Sequence, residues 1–286
     1  AVPSLLPRPP RPAPGGPPVL RVEALDKVYG GGGLLAKQPG THAARAVSFK
    51  VAAGRTLGIV GESGSGKSTV ARCVMRLIDP TDGAIELKGT NIAFLGRKAL
   101  RPYRRQLQVV FQDPFRSLNP RWTVGRSLCE GPINCGQSRA QALARAAELM
   151  ELVGLPRDTL DRYPHQFSGG QRQRIAIARA VAMEPDVLVA DEAVSALDVS
   201  VQAQVLDLLD DLQRKLGITL VFITHDLRVA AQICDDVIVM QTGEVVEHGP
   251  AQEVLARPKH PYTRSLIEAA PGRHWDFGNF KELEGL

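Results

Sequence analysis

The chain has 286 residues, 44% of them hydrophobic, which is enough for one large or two small domains with a real core. Lys and Arg (35) are interleaved with Asp and Glu (30) for a formal charge of +5. That mild bias does not require a nucleic-acid groove, since anionic lipid headgroups would suit it as well, and 5% aromatics argue against a base-stacking platform.

Residues 1–18 hold eight prolines and cannot build a core, so they read as a semi-extended tail or linker. No secretory h-region follows, and no apolar run approaches the roughly 20 residues of a membrane span. Residues 19–23 alternate apolar and polar as a first strand, leading to Asp26-Lys27-Val28-Tyr29 and a glycine-rich loop over 30–40. The Tyr29 ring could stack on a base or pack on the sheet. Strands are expected at 46–51 and 56–60, on either side of the turn Ala52-Ala53-Gly54-Arg55.

Residues 61–69 read GESGSGKST and lie between that strand and a helical pattern at 70–75, the context in which G-x-x-x-x-G-K-[ST] means a phosphate loop. Gly61, Gly64 and Gly66 admit backbone angles closed to residues with a Cβ, so main-chain N–H groups can close around phosphates. The helix behind points its positive dipole end the same way, with Lys67 in reach of the β- and γ-phosphates and Ser68 of Mg²⁺.

A turn at 79–83, a short strand at 84–87 and a basic helix at 97–105 lead to the apolar run 107–111 and Gln112. A glutamine at a strand end can offer its amide oxygen to a cation or a water, or be an ordinary loop residue. Residues 123–165 carry no strand pattern, and 138–153 is helical, with Ala140, Leu143, Ala147 and Met150 at three- and four-residue steps before the stop at Gly154 and Pro156. A small helical insert is expected there. Phe167-Ser168-Gly169-Gly170-Gln171 then opens a helix, with Ser168 a good N-cap and the glycines leaving N–H groups open to an anion.

Residues 187–190 form a buried strand ending in Asp191 and Glu192, one suited to a cation and the other to polarising water. Ser195-Ala196-Leu197-Asp198 precedes a helix at 201–216, and the strand 218–224 ends at His225, either a phosphate contact or a surface histidine. Strands at 236–240 and 244–247 close an α/β pattern with a mostly parallel sheet covered on both faces. Cys73, Cys129, Cys135 and Cys234 form no C-x-x-C pair, so free thiols in a reducing, cytosolic setting are expected.

GESGSGKST, Gln112, FSGGQRQR, VLVADE, SALD and His225 occur once each, in this order. Over about residues 19–270 the chain closely resembles the ATP-binding subunit of an ABC transporter. The resemblance implies an α/β P-loop NTPase with a mixed, mainly parallel sheet core, an antiparallel β subdomain and a small α-helical subdomain. The ATPase domain would cover residues 19–257, with the helical subdomain at about 115–180.

Tyr29 would stack on adenine, and Gly61, Glu62, Ser63, Gly64, Ser65, Gly66, Lys67, Ser68 and Thr69 would hold the phosphates of ATP. Gln112 would contact Mg²⁺ and water and sense a membrane partner, Asp191 would support Mg²⁺, Glu192 would be the general base, and His225 would bind the γ-phosphate. Ser168, Gly169, Gly170 and Gln171 would complete the ATP site of a second ATPase subunit, identical or homologous, with Asp198 at the seam. Phe167 stands where Leu is usual and Ala193 where Pro is common, and neither removes a catalytic group.

FQDPFRSLNPR, YPHQFSGGQRQR, ALDVSVQAQV and HPYTRSLIEAAPG resemble the oligopeptide/dipeptide/nickel importer branch and make residues 258–286 its C-terminal extension. Some relatives bind an iron–sulfur cluster there through cysteines; none lies beyond Cys234, so no iron–sulfur cluster is expected. The partners implied are two multi-span membrane permease subunits, reached through residues 111–124 and the helical insert, and indirectly an extracytoplasmic substrate-binding protein. No nucleic acid is expected, and the place implied is the cytoplasmic face of the inner membrane. The alternative is a soluble ABC ATPase serving nucleic acid, the ribosome or a carbon–phosphorus lyase. The long coiled-coil insert or second cassette of the first two is not visible here.

Overall fold

The computed structural model describes residues 16–30 and 40–269; segment 1–15 of the proline-rich tail, residues 31–39 of the glycine-rich loop and residues 270–286 of the C-terminal extension lie outside the described residues. In chain order the elements begin with β1 (Leu20–Tyr29), β2 (Thr41–Val51), β3 (Thr56–Val60), α1 (Lys67–Val74), β4 (Asp82–Leu87), β5 (Thr90–Asn91) and α2 (Arg97–Gln106). Then come β6 (Leu107–Phe111), α3 (Pro114–Ser117), α4 (Val124–Asn134), α5 (Arg139–Leu152), α6 (Gly169–Val181), β7 (Val187–Asp191) and α7 (Val199–Leu216). The chain continues through β8 (Thr219–Thr224), α8 (Leu227–Ile233), β9 (Asp236–Gln241), β10 (Glu244–Pro250), α9 (Ala251–Ala256) and α10 (Pro261–Ala269).

The contacts divide the chain into a continuous unit, Arg101–Ile218, and a discontinuous unit made of the described residues on either side of it. In the discontinuous unit β3 lies between β8 and β9, parallel to both, and β10 runs antiparallel on the far side of β9. TLGIV and TLVFIT are buried at every position, the near-continuous apolar run that a strand needs when both its faces are covered. Acids fix where these strands start: the Thr56 N–H donates to Asp235 at 2.8 Å, and Arg55 pairs with Asp236 at 2.9 Å.

The same unit carries an antiparallel sheet in the order β2-β1-β4-β5. Its first strand runs to Tyr29, well past the alternation visible at 19–23. The reason is a bulge: Ala24 adopts φ 44°, the pairing shifts register between Val22 and Leu25, and the apolar alternation is lost although the strand goes on. Gly83 sits opposite, where a Cβ would come within 2.5 Å of the Ala24 carbonyl oxygen.

In the continuous unit β6 pairs in parallel with β7, from Leu107 opposite Val187 to Phe111 opposite Asp191. Between these strands the described residues form helices and short 3-10 turns and no strand, as expected for 123–165. Helix α5 starts with a capping box: Ser138 Oγ accepts the Gln141 N–H, and Gln141 Oε1 accepts the Ser138 N–H. The architecture is the expected one, α/β with parallel strands, an antiparallel sheet and a run of helices.

Candidate functional site

In the discontinuous unit the phosphate loop leaves the C-terminal end of β3. Gly61 has φ 149° and Gly66 φ 103°, and a Cβ at these positions would lie 2.3 Å from the Met240 carbonyl oxygen and 2.2 Å from that of Ala43. Only glycine fits such approaches, so the loop is pinned where it meets the rest of the fold. At Gly64 (φ 83°) a Cβ would meet nothing within 4 Å, so the crest of the loop is open.

Helix α1 starts at Lys67 behind Gly66, and no side chain caps its first turn. Uncapped N–H groups at the positive end of a helix form an anion site. Lys67 is 4% exposed. Its ammonium donates to the carbonyls of Gly61 at 2.8 Å and Glu62 at 2.7 Å. The Ser65 hydroxyl is buried without a hydrogen-bond partner. Buried donors, an open crest and an uncapped helix start fit a phosphate chain of the kind ATP carries.

Val60 and Thr224 are register partners in the parallel pair β3–β8, so the loop and His225 leave adjacent strands at one level. Asp226, next in the chain, caps α8 through the Arg228 N–H and pairs with the Arg228 guanidinium. Burial pushes the Asp226 carboxyl up, but the bonds from Arg228 outweigh it and hold it below the usual carboxylate range. Tyr29, at the end of β1, keeps an exposed ring with the Lys27 ammonium 5.2 Å from its centroid.

The remaining site residues lie in the continuous unit. Phe111 is opposite Asp191, so Gln112 and Glu192 leave neighbouring parallel strands at the same level, beside the buried Asp191. Glu192 has φ 50°, a left-handed conformation that a non-glycine residue adopts at some cost. Its carbonyl oxygen holds it there, accepting from the Ser195 N–H at 3.1 Å and the Ser195 hydroxyl at 2.9 Å. Carboxylates that close on β strands' C-terminal ends suit a hard cation and a water. Among the described residues no group of three or more His, Cys, Asp or Glu could hold a metal ion alone.

Ser168 caps α6 as expected, and the Gln171 side chain accepts the Ser168 N–H at 3.0 Å and closes a capping box. The spacing Ser-x-x-Gln carried that signal. Phe167 is buried, so an aromatic serves where Leu is usual. Asp198 caps α7, accepting from the Val201 N–H at 3.0 Å and the Ser200 hydroxyl at 2.8 Å, and these bonds hold its carboxyl low. A Cβ at Gly170 would come within 2.4 Å of Val201 Cγ1, so the starts of α6 and α7 lie against each other and bring Ser168–Gly170 near Asp198.

The continuous unit also holds an open cavity of about 500 Å³ lined by Arg101, Arg104, Arg179, Phe111, Cys135 and Met183, among others. A second cavity, lined by Ser117, Asn119, Arg121 and Trp122, occupies part of the stretch 111–124. All four cysteines are free thiols; Cys135 is exposed and the other three are buried.

A family profile described as ABC transporter matches residues 44–195, and one described as the C-terminal region of oligopeptide/dipeptide transporters matches 246–285. A Brucella ovis protein named, by inference, a peptide import ATP-binding protein is 54% identical over 226 residues, 79% of this chain and 71% of that one. The glutathione import ATP-binding protein GsiA of Salmonella choleraesuis is 51% identical over 231 residues, 80% of this chain and 37% of the longer relative. Among solved structures, cbiO1 from Clostridium perfringens, part of the ABC transporter complex cbiONQ, has a TM-score of 0.74 at 30% identity over 84% of this chain and 91% of that one. The ATP-binding cassette MJ0796, a dimer in a post-hydrolysis state bound to ADP and Pi, has a TM-score of 0.71 at 30% identity over 81% and 98%.

Proposed function

The chain belongs to the ABC transporter family, in its oligopeptide/dipeptide branch, as an ATP-binding and ATP-hydrolysing subunit, and from that premise we propose that it powers the import of peptides across the cytoplasmic membrane. The observation that carries the reading is the loop at 61–69, where a nearly buried ammonium, an uncapped helix start and glycine-pinned backbone converge.

In this reading Lys67 turns from the Gly61 and Glu62 carbonyls to the β- and γ-phosphates of ATP, and Tyr29 covers the adenine. Mg²⁺ held by Ser68, Gln112 and Asp191 would offset the phosphate charge. Glu192 polarises the attacking water and His225 steadies the γ-phosphate. Ser168, Gly169 and Gly170 grip the nucleotide of a second ATPase subunit, with Asp198 at the seam, so the γ-phosphate supplies the differential contact that closes the pair. The arginine-lined cavity and the stretch 111–124 receive two membrane permease subunits, with an extracytoplasmic binding protein acting through them. The chain thus works as a peripheral subunit on the cytoplasmic face, in keeping with the lack, among the described residues, of any helix long and apolar enough to cross a membrane.

Glu192→Gln tests this. Turnover of ATP should fall by about a hundredfold or more, since the positioned base is lost, while ATP binding and ATP-driven dimerisation persist. Steady-state hydrolysis and gel filtration with ATP measure both, and fast hydrolysis by the variant would overturn the base assignment. Failure of the wild-type chain to co-purify with any multi-span membrane subunit from its native membranes would overturn the transport reading.

A further inference from the structure

The turn that opens α10 is fastened to the sheet by Glu247 on β10. Its carboxylate accepts the N–H of Lys259 at 2.8 Å and the N–H of His260 at 3.0 Å. His260 Nδ1 accepts the Tyr262 N–H at 3.2 Å and orders the first turn of the helix. So placed, the Tyr262 hydroxyl reaches the phosphate loop and accepts the Glu62 N–H at 3.2 Å, 200 positions away in sequence.

That N–H belongs to the same peptide plane as the Gly61 carbonyl, which accepts from Lys67 at 2.8 Å. One peptide at the base of the loop is thus held on its N–H side by Tyr262 and on its C=O side by Lys67. An ammonium that turns to a phosphate gives up its carbonyl partners, and the tyrosine contact remains as the hold on that peptide.

We propose that Tyr262 is a positioning residue for the phosphate loop, so that the C-terminal turn His260-Pro261-Tyr262 contributes directly to nucleotide affinity. The proposal rests on the reading of residues 61–69 as the ATP phosphate site. The hydroxyl touches no reacting atom; it acts through the Gly61–Glu62 peptide. Loss of such a bond should therefore weaken binding and leave the chemical step alone.

Full-length Tyr262→Phe, which deletes only the hydroxyl, tests it with equilibrium binding of Mg·ATP, steady-state hydrolysis and thermal unfolding. The expected result is a rise in Kd and KM for ATP of about threefold to tenfold, the range of a neutral hydrogen bond, with kcat within about twofold of wild type. Glu247→Gln, which loosens the turn from its other side, should move KM in the same direction by less. Unchanged Kd in both variants, or a lowered unfolding temperature with unchanged Kd, would overturn the proposal while leaving the ATP site standing. A wild-type chain that binds no ATP would remove the reading of the loop and this inference together.

Discussion

Lys67 shows how far residue chemistry carries the site. Taking an ammonium almost wholly out of water is costly unless it is bonded, and here two carbonyls of its own loop provide that. Those partners are neutral, so an anionic phosphate competes for the donor with the advantage of full charge. Lys67→Ala should therefore raise the Kd for ATP by about tenfold to a hundredfold, the scale of hydrogen bonds to a charged group, as measured by nucleotide titration. The loop was legible because its glycines, lysine and serine are contiguous and sit between a strand and a helix. The hold of Tyr262 on Glu62 was not, because nothing local marks a contact across 200 positions. Glu192 lies between these cases: two acids at a strand end were readable, but its left-handed backbone depends on the turn that Ser195 closes.

Among the elements, the strands paired in parallel were readable from composition and α4 was not. VGRSLCEGPIN contains two glycines and a proline, residues that normally break a helix. Packing explains the two glycines: a Cβ at Gly131 would lie 2.4 Å from Met183 Sδ, and one at Gly125 3.1 Å from the Leu160 carbonyl oxygen. Tertiary contact there overrides propensity, which a single sequence does not display. Strand β1 was cut short for the opposite reason, because the bulge at Ala24 interrupts the alternation without ending the strand. The meeting of α6 and α7 yields a prediction at this scale. Gly170→Ala forces a methyl against Val201 and should destabilise the chain by about 1–3 kcal/mol, the usual cost of overpacking. Adding Val201→Ala should restore part of that loss in denaturant titrations, whereas independent, additive effects would show that the two helices do not press on each other here.

For the molecule as a whole, acid sensitivity follows from two carboxylates of the discontinuous unit. Burial raises Asp226 and Glu247, and hydrogen bonding, from Arg228 in one case and from the Lys259 and His260 amides among others in the second, more than reverses it. A carboxyl whose folded pKa lies below its unfolded value lends stability that is complete above the unfolded value and disappears as pH falls through the folded one. The unfolding temperature should thus be level near neutrality and drop below about pH 4, and Asp226→Asn should flatten that drop. An equally steep drop in the variant would remove Asp226 from the account.

The distribution of thiols has a practical consequence. Burial raises the Cys73 thiol to about 11 and raises that of Cys129, and Cys234 is enclosed too, so maleimide chemistry on the native chain has Cys135 as its accessible anchor. A fluorophore attached there would stand on the lining of the arginine-lined cavity without any engineered mutation. Under the docking of a permease subunit proposed for that cavity, its emission should change on assembly, turning an incidental cysteine into a built-in reporter.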